Sequence, residues 1–260
     1  DIVLMEAING STLVGQYSTA YKWLDALNII PAFLTMALLP VMARQAHEDR
    51  AALRRNYTLA VKLLVIVALP VAVMTTFIAA PLIRILGGAE YLPAGGIALQ
   101  IMIWSIPIGW INSVTNYVIV ALDRQRTLTL AFAAGVIFNI AANLIFLPAY
   151  SYRAAAVIHI LSEATLFVAF YWIIRQEIGG MGWRRTLWRP ALAALVLLGV
   201  TLALWQVAPL AGLLLSPLVY GAGLLALRPL GPAEMARVAP LLPGRLRRWA
   251  LRGETAYSVP

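Results

Sequence analysis

Long apolar segments alternate with short polar loops along almost the whole chain. The pattern predicts helices over about residues 14–42, 57–84, 96–122, 127–148 and 154–176. Each is close to or longer than the roughly 20 apolar residues that cross a bilayer. Such segments are typical of membrane-spanning helices, and the polar loops between them are typical of their connections.

The two ends of the chain extend this pattern. Residues 2–8 are interpreted as the end of a truncated hydrophobic segment. Residues 190–227 carry no charge and are too long for one crossing, so Pro209 is expected to divide them into helices over about 187–207 and 210–227. A basic tail, 228–260, follows. The prediction is an all-α polytopic membrane protein with about seven full transmembrane helices and a truncated first one.

Arginine positions predict the orientation of these helices. If the loops alternate, one side of the membrane holds loops 43–56, 123–126 and 175–189 together with the tail. That side has sixteen arginines, and the other has only Arg84 and Arg153. Because basic loops stay on the cytoplasmic side, the C-terminus is expected to be cytoplasmic.

Composition excludes several classes of function. Of the 260 residues, 62% are hydrophobic and 12% are charged, which is too apolar for a soluble domain. With no cysteine and two histidines, the sequence predicts neither a metal site nor a cofactor. A net charge of +9, concentrated in loops, suits membrane lipids better than nucleic acid. The sequence contains no phosphate-binding loop, HExxH motif or DxD-like acidic pair that would suggest an enzyme.

The first predicted helix carries charges at membrane depth. Lys22 and Asp25 are three residues apart on one helical face, and Asn28 extends the same stripe. A charge in the bilayer costs about 2.5–3.5 kcal/mol and usually faces a partner or a watery cavity. The stripe therefore indicates either an ion pair between Lys22 and Asp25 or the lining of a hydrophilic pathway.

Other polar residues recur at helical spacing. Those four residues apart are Asn112 and Asn116, Asn139 and Asn143, and His159 and Glu163. The asparagines are candidates for cavity lining, although such groups often only hold membrane helices together. Glu163 and His159 are candidates for ion or proton coupling, or for a local pair. Together these residues could continue a polar path across the bilayer.

The order of several motifs resembles a known family. The first is DIVLMEAINGSTLVGQYSTAYKWLDALNIIPAFLTMALLPVMAR at 1–44, with V-G-x-Y-S at 14–18. GAEYLPAGGIALQIMIWSIP at 88–107 and FNIAANLIFLPAY at 138–150 follow. These stretches resemble the C-terminal half of Wzx-type polysaccharide flippases, which share a superfamily with MATE exporters and lipid II flippases. The family often has glycines where this chain has Tyr152–Arg153 before Ala154.

The resemblance implies an architecture and a substrate. Residues 1–176 would form one lobe of a two-lobed MATE-like transporter, with 187–227 as two extra helices and the missing N-terminal lobe of the same chain as partner. The implied substrate is a polyprenyl-pyrophosphate-linked oligosaccharide, flipped across a bacterial or archaeal plasma membrane by alternating access. Lys22 would attract the pyrophosphate, Asp25 would balance it, and the asparagines would bind sugar hydroxyls.

Two other hypotheses remain at this stage. An ion-coupled MATE-like exporter of small cations would use Asp25 and Glu163, but Lys22 in the same stripe argues against it. A membrane scaffold or transferase subunit would need neither the polar stripe nor a pathway. The sequence does not specify the saccharide, the coupling ion or the oligomeric state.

Overall fold

The computed structural model describes residues 2–238, which form ten α-helices and no β-strand. The helices are α1 (Ile2–Asn9), α2 (Ser11–Leu27), α3 (Ile29–Glu48), α4 (Arg50–Leu86), α5 (Ala94–Met102), α6 (Ile106–Ala121), α7 (Gln125–Ile178), α8 (Trp183–Trp205), α9 (Pro209–Leu227) and α10 (Pro232–Val238). The predicted all-α fold class is confirmed. Asp1 and residues 239–260, most of the predicted basic tail, lie outside the described residues.

The first membrane-spanning stretch consists of two helices where the sequence pattern predicts one over 14–42. α2 ends at Leu27 and α3 begins at Ile29. Pro31 accounts for the break, since it lacks the N–H that would bond to the carbonyl of Leu27, and its ring clashes with that carbonyl.

Other prolines have different effects on the helices. A short 3₁₀ turn, Ile103–Ser105, precedes Pro107 and separates α5 from α6, so the helix predicted over 96–122 is also interrupted. By contrast, Pro40 does not end its helix, because α3 continues through it to Glu48. Pro70 likewise lies inside the uninterrupted α4.

α7 is a bent helix whose two arms are separate crossings. It has 54 residues, about 81 Å at 1.5 Å per residue, whereas the apolar core of a bilayer is about 30 Å thick. At Ser151 the backbone leaves the helical region, with φ 52° and ψ −141°. This bend falls between the two predicted helices, 127–148 and 154–176.

Six stretches of helix are long and apolar enough to cross a membrane. They begin at Ser11, Arg50, Ala94, Gln125, Trp183 and Pro209. Because the α7 stretch bends in two, these stretches supply seven crossings. The chain is thus a multi-pass membrane protein.

The described residues divide into two compact units, one up to Leu187 and the other from Trp188 onward. In the first unit, helices α2 to α7 surround a core whose largest buried side chains include Trp110, Tyr57 and Phe170. In the second unit, the hydroxyl of Thr201 on α8 donates to the Ser216 hydroxyl on α9 over 2.8 Å, and both residues are fully buried.

Three of the basic loops meet at one end of the first unit. Arg50, at the start of α4, and Arg124, before α7, both contact the Glu177 carboxylate near the end of α7. Arg54 donates to the carbonyl of Gly180. These contacts bring together the loops that the arginine distribution places on one side of the membrane.

Candidate functional site

The polar stripe of α2 lies on the surface of the first unit. Lys22 and Asp25 are exposed, whereas Tyr17, Ala20 and Leu24 on the other faces of the helix are buried. Neither charged residue takes part in an ion pair within residues 2–238. The ion pair considered from their spacing is therefore not formed.

Exposure of these charges has an energetic consequence. A lysine or aspartate facing lipid near the bilayer centre would cost about 2.5–3.5 kcal/mol. Placing the stripe against water or a second protein surface removes that cost. The exposed face of α2 is accordingly a candidate wall of a polar cavity.

Asn28, at the junction of α2 and α3, is exposed but connected to the core. Its side-chain oxygen accepts a hydrogen bond from the indole N–H of Trp110 on α6 over 3.2 Å. This contact holds the break in the first crossing next to α6.

Behind the stripe, α2 is hydrogen-bonded to the second arm of α7. The hydroxyl of Tyr21 and Nδ1 of His159 are 2.9 Å apart, and the two rings meet edge to face. Tyr21 precedes Lys22 in the chain, so it links the exposed stripe to the interior. Sequence reasoning missed this role, since helical spacing does not reveal contacts between helices.

Glu163, one turn beyond His159, bonds to α6 instead. The Asn112 side-chain amide donates to the Glu163 carboxylate over 2.8 Å and to its backbone carbonyl over 2.9 Å. Gly109 leaves room for the carboxylate, because a Cβ at that position would lie 3.4 Å from Oε2 of Glu163. No hydrogen bond or ion pair joins Glu163 to His159 in the described part of the chain, so their expected local pair is absent.

Asn112 and Asn116 differ in their partners. Asn112 is buried and committed to Glu163, whereas Asn116 is half-buried. The side-chain oxygens of both are buried and accept no hydrogen bond from residues 2–238. Asn116 is thus the member of the pair whose side chain is not engaged with Glu163.

The second asparagine pair lies between the two arms of α7. Asn139 donates to the hydroxyl of Ser162 over 2.8 Å, and Asn143 donates to the backbone and side-chain oxygens of Asn139. The arms also meet where Gly135 faces Leu166. The pair has the geometry of interhelical hydrogen bonding.

The predicted residues therefore form three groups. Lys22, Asp25 and Asn28 share the exposed side of the first crossing, while His159, Glu163 and Asn112 lie behind it. Asn139 and Asn143 lie between the α7 arms. Asn116, half-buried on α6, belongs to none of these groups. Within residues 2–238, no three His, Asp or Glu side chains converge as metal ligands. The arrangement offers hydrogen-bonding groups, and it presents the charges of Lys22 and Asp25 at the surface of the first unit.

Comparisons with known proteins agree with this architecture. Residues 1–95 match the sequence profile of a family described as polysaccharide biosynthesis protein. The fold is similar to that of the lipid II flippase MurJ in an inward closed conformation, with a TM-score of 0.62 and 16% sequence identity. No curated protein sequence matches significantly.

The alignment with MurJ covers 87% of this chain and 51% of the MurJ chain. The protein described here therefore spans about half the length of that structure. At this low identity, the likeness shows a common fold. The profile match is thus confined to the first 95 residues, and the likeness to MurJ extends over most of the chain as a shared fold.

Proposed function

We propose that this chain forms one lobe of a flippase that moves polyprenyl-pyrophosphate-linked oligosaccharides from the inner to the outer leaflet. The observation that carries the proposal is the exposed, unpaired Lys22 in a membrane-spanning helix, beside Asp25. A charged face needs an aqueous surrounding or a partner surface. A second lobe, the N-terminal lobe of the full-length protein, would enclose that cavity.

Each polar residue of the stripe has a role in this proposal. The Lys22 ammonium attracts the pyrophosphate, which carries negative charge through the membrane. Asp25 neutralises Lys22 when the cavity holds no substrate. Asn28 and Asn116 offer amide groups to sugar hydroxyls, since Asn112 is bound to Glu163. No covalent bond is made or broken.

Transport would follow from movement of the two lobes. The α2 stripe remains fixed on this lobe, and rocking against the second lobe exposes it to one side of the membrane at a time. Membrane lipids surround the remaining apolar faces, including Leu130 and Ile137 of the first α7 arm, which are 70% and 68% exposed.

The test replaces Lys22 in the full-length protein and measures surface polysaccharide in cells lacking the native copy. Lys22→Ala is expected to abolish surface polysaccharide at an unchanged membrane level of the protein, and Lys22→Arg to retain part of it. Arg126→Ala removes an exposed charge in the first turn of α7 and is the matched control. Wild-type output from Lys22→Ala would contradict the role proposed for Lys22.

A second candidate is a MATE-like exporter of small cationic compounds, favoured only by the exposed carboxylate of Asp25. Lys22 in the same stripe would repel such a substrate. Deletion of this exporter would raise sensitivity to cationic drugs and leave surface polysaccharide unchanged. The opposite result, loss of polysaccharide with unchanged drug sensitivity, distinguishes the flippase.

A further inference from the structure

Glu163 is a half-buried acid on the second arm of α7, and it has no basic partner within residues 2–238. Its side chain is bound by the neutral amide of Asn112, and it forms no ion pair within residues 2–238. His159, one turn away, is bound to Tyr21 instead. A carboxylate removed from water without a countercharge carries a large desolvation cost.

We propose that Glu163 is a proton-binding site, and that its proton is coupled to the position of α2 through His159 and Tyr21. A proton neutralises Glu163 without requiring a basic side chain beside it. The coupling rests on the proposed flippase function, whereas the proton site is inferred from the geometry around Glu163.

The groups around Glu163 favour a proton over a metal cation. Hard metal cations take several oxygen ligands. The Asn112 amide directs its N–H donor at the carboxylate, and Gly109 contributes no side chain. The carboxylate oxygens are therefore the only anionic ligands that this site presents, which is enough for a proton.

No ionisable group on a neighbouring helix forms an ion pair with Glu163 within residues 2–238. α5 contains none, and Glu6 of α1 is exposed. On α4, Lys62 is buried, and Arg50 meets α7 at Glu177, about 21 Å along the helix from Glu163 at 1.5 Å per residue. On α2, the contact with His159 is made by Tyr21, with Lys22 and Asp25 beyond it on the exposed face.

The link to α2 follows from the hydrogen-bonding capacity of histidine. Neutral His159 can accept the Tyr21 hydroxyl proton at Nδ1, whereas an imidazolium has donors at both ring nitrogens. When Glu163 releases its proton to cavity water, the new negative charge favours the imidazolium one turn away. Tyr21 must then accept this hydrogen bond instead of donating it, and this reversal is the step that links the proton to α2.

Infrared difference spectroscopy tests the proton site directly. The purified full-length protein is compared at neutral and alkaline pH, a range in which ordinary exposed carboxyl groups stay ionised and do not contribute to the difference spectrum. A carbonyl band of a protonated carboxyl group is expected in the wild type and in Glu90→Gln, an exposed loop control, and is expected to be absent in Glu163→Gln. A wild-type spectrum without the band, or a band unchanged in Glu163→Gln, would overturn the proposal.

Transport in proteoliposomes tests the coupling. The probe is a polyprenyl-pyrophosphate-linked oligosaccharide, and its transfer between leaflets is followed with and without a pH gradient. Glu163→Gln is expected to lose the response to the gradient and to keep exchange at equal pH. Tyr21→Phe should keep the infrared band but lose the response, which identifies Tyr21 as a positioning residue.

The failures of the two proposals are distinguishable. Wild-type transfer that ignores the pH gradient, or follows a sodium gradient, overturns the coupling and leaves the flippase function intact. Absence of wild-type transfer contradicts the flippase function, and the infrared band still decides whether Glu163 binds a proton.

Discussion

Arg124 and Glu177 form an ion pair, with 2.6 Å between Nη2 and Oε1, that fastens the two ends of the bent α7 to each other. The other carboxylate oxygen of Glu177 contacts Arg50 at 3.1 Å, so the start of α4 is held at the same point. The Glu177 side chain is only 10% exposed, whereas both arginines are more than half exposed. One acid therefore organises three chain segments at the basic end of the lobe.

Glu177→Gln is expected to lower the stability of the lobe. Removing the negative charge leaves two neighbouring arginines to repel each other, although solvent screens them. Together, the lost attraction and the screened repulsion are expected to lower the free energy of unfolding by about 1–3 kcal/mol. Thermal unfolding of the purified full-length protein in detergent measures it.

Glu48→Gln is the matched control, because Glu48 forms an exposed pair with Arg44 one turn away in the same helix. Its loss should be at most about 1 kcal/mol. Equal midpoints of thermal unfolding for wild type and Glu177→Gln would mean that the ion pairs of Glu177 contribute nothing to stability.

Gly95→Ala is expected to disturb the support of the polar stripe. A Cβ at Gly95 on α5 would lie 2.9 Å from the backbone carbonyl oxygen of Gln16 on α2 and 3.1 Å from Ile83 Cγ2. Because a backbone atom cannot turn aside, α2 must shift. Overpacking of this kind costs about 1–3 kcal/mol, which thermal unfolding detects.

The control for this substitution is Gly199→Ala in α8, where a Cβ meets no other atom within 4 Å. It should unfold at the wild-type temperature or above, since alanine is the better helix former. If Gly95→Ala unfolds at the same temperature as Gly199→Ala, the close approach of α5 to α2 is not a constraint on packing.

Much of the fold could be predicted because bilayer thickness and proline geometry act locally. The apolar lengths predict the crossings, and Pro31 and Pro107 explain where the helices break. Pro40 shows the limit of this reasoning, since α3 passes through it. Whether a helix tolerates a proline depends on neighbours that the sequence pattern does not specify.

The site was less accessible to sequence reasoning. The spacing of His159 and Glu163 places them on one helical face, but not against a particular helix. In the structure they bond to Tyr21 and Asn112, on two different helices. These contacts are set by the packing of α2, α6 and α7, so periodicity identifies the polar residues but not their partners.

Ser151→Gly is expected to stabilise the bend of α7. Ser151 has φ 52° and ψ −141°, a conformation that glycine adopts readily and other residues rarely do. Relief of such backbone strain is expected to contribute about 1 kcal/mol. The measurement is the midpoint of thermal unfolding, which should rise.

Ser151→Ala separates the backbone from the side chain. The Ser151 hydroxyl has no hydrogen-bond partner among the described residues, so its removal alone should change little. A gain shared equally by the alanine and glycine variants would attribute the effect to the hydroxyl, and a loss in the glycine variant would contradict a strained bend.

The proposed water-filled cavity can be tested with single cysteines, because the sequence has none. Lys22→Cys and Asp25→Cys in the full-length protein should react with a membrane-impermeant thiol reagent, since their positions face the proposed pathway. Leu24→Cys should not react, because Leu24 is 2% exposed. Leu130→Cys should also fail to react, although Leu130 is 70% exposed, because lipid covers the outer face of α7.

Leu130 makes this test specific for water. If it reacts as fast as Lys22, exposure alone controls labelling and the α2 stripe is not distinguished from the lipid-facing surface. A cysteine at Arg126, in the first turn of α7, is the exposed control. If it reacts while neither Lys22→Cys nor Asp25→Cys does, the stripe is covered by another protein surface and water does not reach it. The charges of α2 would then hold the two lobes together, and substrate would have to pass elsewhere.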